Sequence, residues 1–127
     1  MSDSKTVRVL TIDDSRTMQS MLRTALEGAG YDVIQGNDGV EGISVLEAAT
    51  PAPDVIITDI NMPRMDGFGV IETVRGLEPF RHLPVIVLTT ESDQEKKARA
   101  RAAGATGWII KPFNSESLVS AIRRVTE

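Results

Sequence analysis

The chain has 127 residues, 41% hydrophobic and 25% charged, which fits one globular domain with a proper core. It has no cysteine, which excludes disulfides and thiolate metal sites, and a formal net charge of -4, which argues against non-specific binding to nucleic acid. The polar start lacks a signal-peptide core and no apolar run approaches the roughly 20 residues needed to span a bilayer. A cytoplasmic monomer with a protein partner or a small ligand is expected, with no nucleic acid and no membrane.

In chain order, residues 7–12 form a short apolar run ended by two acids and read as a buried strand. Met18, Met21, Leu22, Ala25 and Leu26 then recur at helical spacing, and Gly28 and Gly30 close the segment. Residues 31–35 read as a second strand, and Val40, Ile43 and Leu46 as a second helix. A third strand at 55–58 follows Pro51 and Pro53, and Val70, Ile71, Val74 and Leu77 mark a third helix with Gly76 near its end. A fourth strand at 85–88 follows Pro84; residues 92–103 read as a helix opened by a capping box of Ser92 and Glu95 and closed by Gly104. Residues 108–110 form a fifth strand. Leu118, Val119, Ile122 and Val125 share one face of a last helix capped by Asn114 or Ser115. Five short, β-branched strands alternating with five helices predict an α/β fold: a doubly wound parallel sheet covered on both faces, with residues 1–127 as a single domain.

Ligands of such sheets bind beyond the carboxyl ends of the strands. Asp13, Asp14 and Ser15 follow strand one; Asp59, Ile60 and Asn61 follow strand three; Thr89, Thr90 and Glu91 close strand four; Lys111 and Pro112 follow strand five. Alone, each has a plain reading: Asp13, Asp14 and Ser15 as helix caps, Asp59 as a turn acid, Thr89 as a strand-end hydroxyl, Lys111 as a solvated charge. Together they set three carboxylates and one lysine at one sheet edge. Crowded carboxylates favour a hard divalent cation, Mg²⁺ by preference, and a carboxylate held beside that ion, a lysine and a hydroxyl can act as a nucleophile at phosphorus. Trp108 reads first as packing, His82 has no assigned role, and the methionines mostly fit core spacing.

These residues resemble the receiver domains of two-component response regulators, and within them the CheY-like single-domain chemotaxis regulators. The resemblance runs through Ile12-Asp13-Asp14-Ser15, Asp59-Ile60-Asn61-Met62-Pro63, Asp66-Gly67, Leu88-Thr89-Thr90-Glu91, Gly104-Ala105 and Lys111-Pro112-Phe113, nearly the whole chain. It implies a flavodoxin-like (βα)5 fold with strand order 2-1-3-4-5. It also implies that Asp59 accepts the phosphoryl group, that Asp14, Asp59 and the Asn61 carbonyl bind Mg²⁺, and that Asp13 acts largely through water. Lys111 would contact the phosphoryl group, through a cis bond to Pro112. Thr89 and Trp108 would form the switch, and Asn61, Thr90 and Glu91 would modulate access. Trp108 replaces the more usual Tyr or Phe, and Thr90 a usual Ala or other small residue. The donor would be a CheA-like sensor histidine kinase. The target would be the flagellar motor switch or another protein, reached through residues 92–103, 108–110 and 118–125, with a phosphatase as a further partner. A single-domain phosphorelay shuttle or phosphate sink is the alternative. An aspartyl-nucleophile phosphatase is disfavoured because Asn61 stands where its second acid is required. A flavin module is disfavoured because Asp13 and Asp14 would repel a phosphate.

Overall fold

The structure, a computed structural model, describes residues 6–127; the polar start at 1–5 lies outside them. The elements are β1 (Arg8–Ile12), α1 (Arg16–Gly28), β2 (Asp32–Gly36), α2 (Gly39–Ala48), β3 (Val55–Thr58), α3 (Gly67–Gly76), a 3₁₀ turn (Glu78–Phe80), β4 (Val85–Thr89), α4 (Gln94–Ala103), β5 (Gly107–Ile110) and α5 (Ser115–Thr126). The strands form one parallel sheet in the order β2-β1-β3-β4-β5, as the resemblance implied. The chain leaves β1 in one direction and later continues from β3 in the other, so a crevice opens between the carboxyl ends of β1 and β3.

Alternation within the strands divides the core. Leu10, Ile12, Ile56, Val85 and Val87 face α2 and α3, where they meet Leu46, Val70, Ile71 and Val74. Val9, Val55, Ile57, Ile86 and Leu88 face the other way, onto Leu22 and Leu26 of α1 and Leu118 and Ile122 of α5. All of β3 and β4 is buried, which explains their near-continuous β-branched runs, interrupted only by Leu88. Each fully buried aliphatic side chain contributes about 1.5–3 kcal/mol, so these strands are the stable centre.

Several boundaries differ from expectation. Ser92 and Glu95 do not form a capping box: Asp93 is the N-cap of α4, its carboxylate accepting from Glu95 N at 2.9 Å. A carboxylate at a helix N-terminus is favoured by the dipole as well as by the hydrogen bond, so the helix starts at Gln94 rather than at residue 92. Leu77 terminates α3 instead of continuing it. Met21, at core spacing in sequence, is 47% exposed because the apolar stripe of α1 narrows to Leu22 and Leu26. Asn114, not Ser115, caps α5, accepting from Ser117 N at 3.0 Å.

Candidate functional site

The crevice is built by strand ends. β1 delivers Asp13, and the turn into α1 uses its carboxylate: Asp13 Oδ1 accepts from Ser15 N at 2.9 Å, while Ser15 caps α1 by accepting from Met18 N at 3.1 Å. The helix-capping reading therefore holds for Ser15, and the Asp13 carboxylate is shared between turn and crevice. β3 delivers Asp59, whose Oδ1 accepts from Ile60 N at 2.6 Å. Lys111 leaves the edge strand β5, is fixed by its own N–H to Thr89 O at 2.8 Å, and reaches across β4. Its Nζ bridges Asp13 Oδ2 at 2.8 Å and Asp59 Oδ2 at 2.9 Å. The Lys111–Pro112 bond is cis, as the resemblance implied, and Thr50–Pro51 is cis as well.

Asp13, Asp14 and Asp59 bring one carboxylate oxygen each within 4.8 Å of one another. Asp13 and Asp59 are buried and Asp14 is exposed at the mouth. One lysine cannot balance three carboxylates. Burial pushes the Asp13 carboxyl above its ordinary value, and the hydrogen bond and charge of Lys111 only partly offset this. Burial also pulls the Lys111 ammonium down, but its hydrogen bonds to Asp13 and Asp59 outweigh that and hold it above its ordinary value. The result is a cleft with a fixed ammonium, surplus negative charge and hard oxygen donors, which suits a small divalent cation better than a second organic cation.

The remaining predicted residues lie around this centre. Thr89 ends β4, fully buried, with Oγ1 accepting from Glu91 N at 3.2 Å. Thr90 and Asn61 are exposed, and Glu91 is half-buried and paired with Lys96 at 3.1 Å. Trp108 is not at the crevice. It pairs with Val87 in the sheet register, packs half-buried against the core cluster that includes Ala100, and sits between grooves of about 180 and 210 Å³. His82 is exposed and touches nothing in the site.

Two features escaped the sequence reading. Behind the crevice, Gln19 of α1 ties β1 to β2: its amide donates to Gly36 O at 2.8 Å and its Oε1 accepts from Thr11 Oγ1 at 2.7 Å, while Gln35 donates to Gln19 O at 2.9 Å. At the crevice edge, Arg64 makes a forked pair with Asp38, Nε–Oδ2 2.9 Å and Nη2–Oδ1 3.2 Å. Asp38 N-caps α2 through Glu41 N at 2.8 Å, a pattern that Asp38 and Glu41, three apart, display in the sequence; its pairing with Arg64 has no sequence signal. Gly67 is required where it stands, because a side chain there would strike the Asp59 carbonyl and Ile60.

A doubly wound α/β domain with a buried carboxylate, a bridging lysine and a cation-competent acidic cluster at the β1/β3 switch point defines the class. A family profile described as the response regulator receiver domain matches residues 9–123. The chain belongs to that family, one of signalling proteins rather than of enzymes in the ordinary sense. It is 36% identical to the chemotaxis protein CheY1 of Helicobacter pylori over 113 residues, 88% of this chain and 90% of that protein. It is 34% identical to the sensor histidine kinase CheAY of the same species, matching 91% of this chain but spanning only 14% of that longer protein. Among solved structures, chemotaxis protein CheY4 of Vibrio cholerae superposes with a TM-score of 0.89 at 41% identity, covering 95% of this chain and 99% of that one.

Proposed function

We propose that this protein is a phosphoacceptor signalling protein. Asp59 takes a phosphoryl group from a CheA-like sensor histidine kinase and the modified protein changes its affinity for a protein target. The observation that carries this reading is the Lys111 ammonium bridging Asp13 and Asp59 inside a group of three carboxylates. An Asp59 oxygen attacks phosphorus, the bond from phosphorus to the donor's imidazole nitrogen breaks, and an acyl phosphate forms with the imidazole as leaving group. Lys111 sits where it can neutralise the incoming phosphoryl oxygens. Asp13, Asp14, Asp59 and the Asn61 carbonyl would hold Mg²⁺; the oxygen-only donor set and the surplus negative charge fit such an ion, which supplies charge neutralisation between nucleophile and phosphoryl group. The protein catalyses only its own phosphorylation and dephosphorylation.

Thr89 donates its hydroxyl to the phosphoryl group and gives up its bond from Glu91 N, and Trp108 turns into the space released. Asn61, Thr90 and Glu91 flank the approach of an attacking water. The target is the flagellar motor switch, in line with the similarity to chemotaxis proteins, and the setting is the cytoplasm. No helix among the described residues is long and apolar enough to cross a membrane.

The test is to incubate the protein with acetyl phosphate and Mg²⁺ and map the modified residue. Labelling on Asp59, lost in Asp59→Asn and in Asp14→Ala, is expected. Undiminished labelling of Asp59→Asn would overturn the assignment.

A further inference from the structure

The metal reading above takes two ligands from the stretch of residues 59–61, and we infer that Arg64 is the positioning residue that holds this stretch in place, by latching its loop to the N-terminus of α2. The inference rests on that metal reading.

Among the described residues, Arg64 is the one non-glycine with positive φ, at 67°. A side chain with a Cβ resists the left-handed region, so this conformation persists only where neighbours fix it. Locally, Met65 N donates to Pro63 O at 2.7 Å across Arg64; the neighbour that reaches it from another element is Asp38. The planar guanidinium meets both carboxylate oxygens, at 2.9 and 3.2 Å, which defines direction as well as distance. Asp38 is itself immobilised as the cap of α2, and the adjoining Gly39 lies so close to Met65 that a side chain there would strike the Met65 carbonyl. Residues 64–65 and the start of α2 therefore meet at two points.

The other end of the loop is closed separately. Ile60 N donates to Asp59 Oδ1 at 2.6 Å and Gly67 N donates to Ile60 O at 2.8 Å. Asn61, whose carbonyl is expected to bind metal, lies exposed between these two anchorages. With Arg64 released, residues 61–65 would keep their ends and the Met65 N–Pro63 O turn but lose the side-chain tie that fixes that turn against α2. The Arg64 side chain is 60% exposed, so the pair adds little to global stability; its effect is on loop geometry.

A purely conformational role makes a different forecast. If Arg64 merely tolerates a positive φ, glycine replaces it without loss, because glycine adopts that region freely. Mg²⁺ binding to the full chain is measured by titration calorimetry, and the thermal midpoint is recorded in EDTA, for the parent, Arg64→Gly, Arg64→Lys, Asp38→Asn and the Arg64→Gly/Asp38→Asn pair. Arg64→Gly should keep or raise the midpoint while weakening Mg²⁺ binding about tenfold, the lower end of the effect of losing a residue that supports metal ligands. Asp38→Asn, which still caps α2, should weaken binding to the same degree, the double variant should add nothing, and Arg64→Lys should fall between. Parent-like affinity in Arg64→Gly, or additive losses in the double variant, would overturn the latch alone. A parent that binds no Mg²⁺, or binds it equally well as Asp14→Ala, overturns the metal reading and the latch with it.

Discussion

The crevice and the α4–β5 edge share strand β4, yet they are held by different means. At the crevice, the polar groups are locked into one another: Lys111 to two carboxylates, Asp13 to Ser15, Asp59 to Ile60, with both buried carboxylates at the ends of the inner strands β1 and β3. α4 buries a single side chain, Ala100. Beyond the half-buried Ala103, two arginines tie it to α3: Arg99 lies 3.9 Å over the ring of Phe68, and Arg75 donates to Gly104 O, just past the end of α4, at 2.7 Å. Such directional contacts can be exchanged for others at small cost, whereas interdigitated aliphatic packing cannot. A signalling domain benefits from this division: chemistry requires fixed geometry, and output requires an element with two accessible positions.

That comparison is open to attack by substitution. Ile71, fully buried in α3, should lose about 3–4 kcal/mol as Ile71→Ala in urea unfolding. Ala102→Gly, on the exposed face of α4, should lose about 1 kcal/mol and raise amide exchange in α4 alone. If α4 amides exchange only with global unfolding, as those of β3 should, the two regions are not held differently.

Lys111→Ala should destabilise the metal-free protein by about 2 kcal/mol, below the range for fully buried pairs because its partners retain slight exposure. Burial already holds the Asp13 carboxyl above 3.8, and removing Lys111 should raise it further. A carboxyl raised in the folded state contributes stability that is present at low pH and lost as pH rises through its folded value. The Lys111→Ala deficit should therefore grow from about pH 4 upward in EDTA and shrink when Mg²⁺ is added. A deficit independent of pH and of Mg²⁺ would separate Lys111 from the carboxylate cluster.

Trp108 sharpens the same contrast from the output side. As the one Trp of the chain, it should change emission or quencher access when beryllofluoride and Mg²⁺ occupy Asp59. An unchanged signal, with occupancy shown independently, would make it packing. The smallest expected effect is at the boundary between the regions: Thr90→Ala should dephosphorylate somewhat faster, because a branched side chain is removed beside the approach of water. An equal or slower rate would contradict that shielding.

Much of this protein follows from local sequence. The short, continuous apolar runs of the strands, the 3.6-residue stripes between them and the glycines after them fix five βα units, and the acids, hydroxyls and lysine fall at strand ends because turns begin there. What local sequence cannot determine is which long-range partners meet. The Thr11–Gln19–Gln35 network and the Arg64–Asp38 latch join residues from separate elements that are individually unremarkable polar side chains. Met21 repeats the lesson: helical spacing marks it as core, and only the placement of α1 against the sheet decides that Leu22 and Leu26 fill that space and Met21 does not. Periodicity encodes which way a side chain points on its own element; the sheet order and the crossovers decide what it points at.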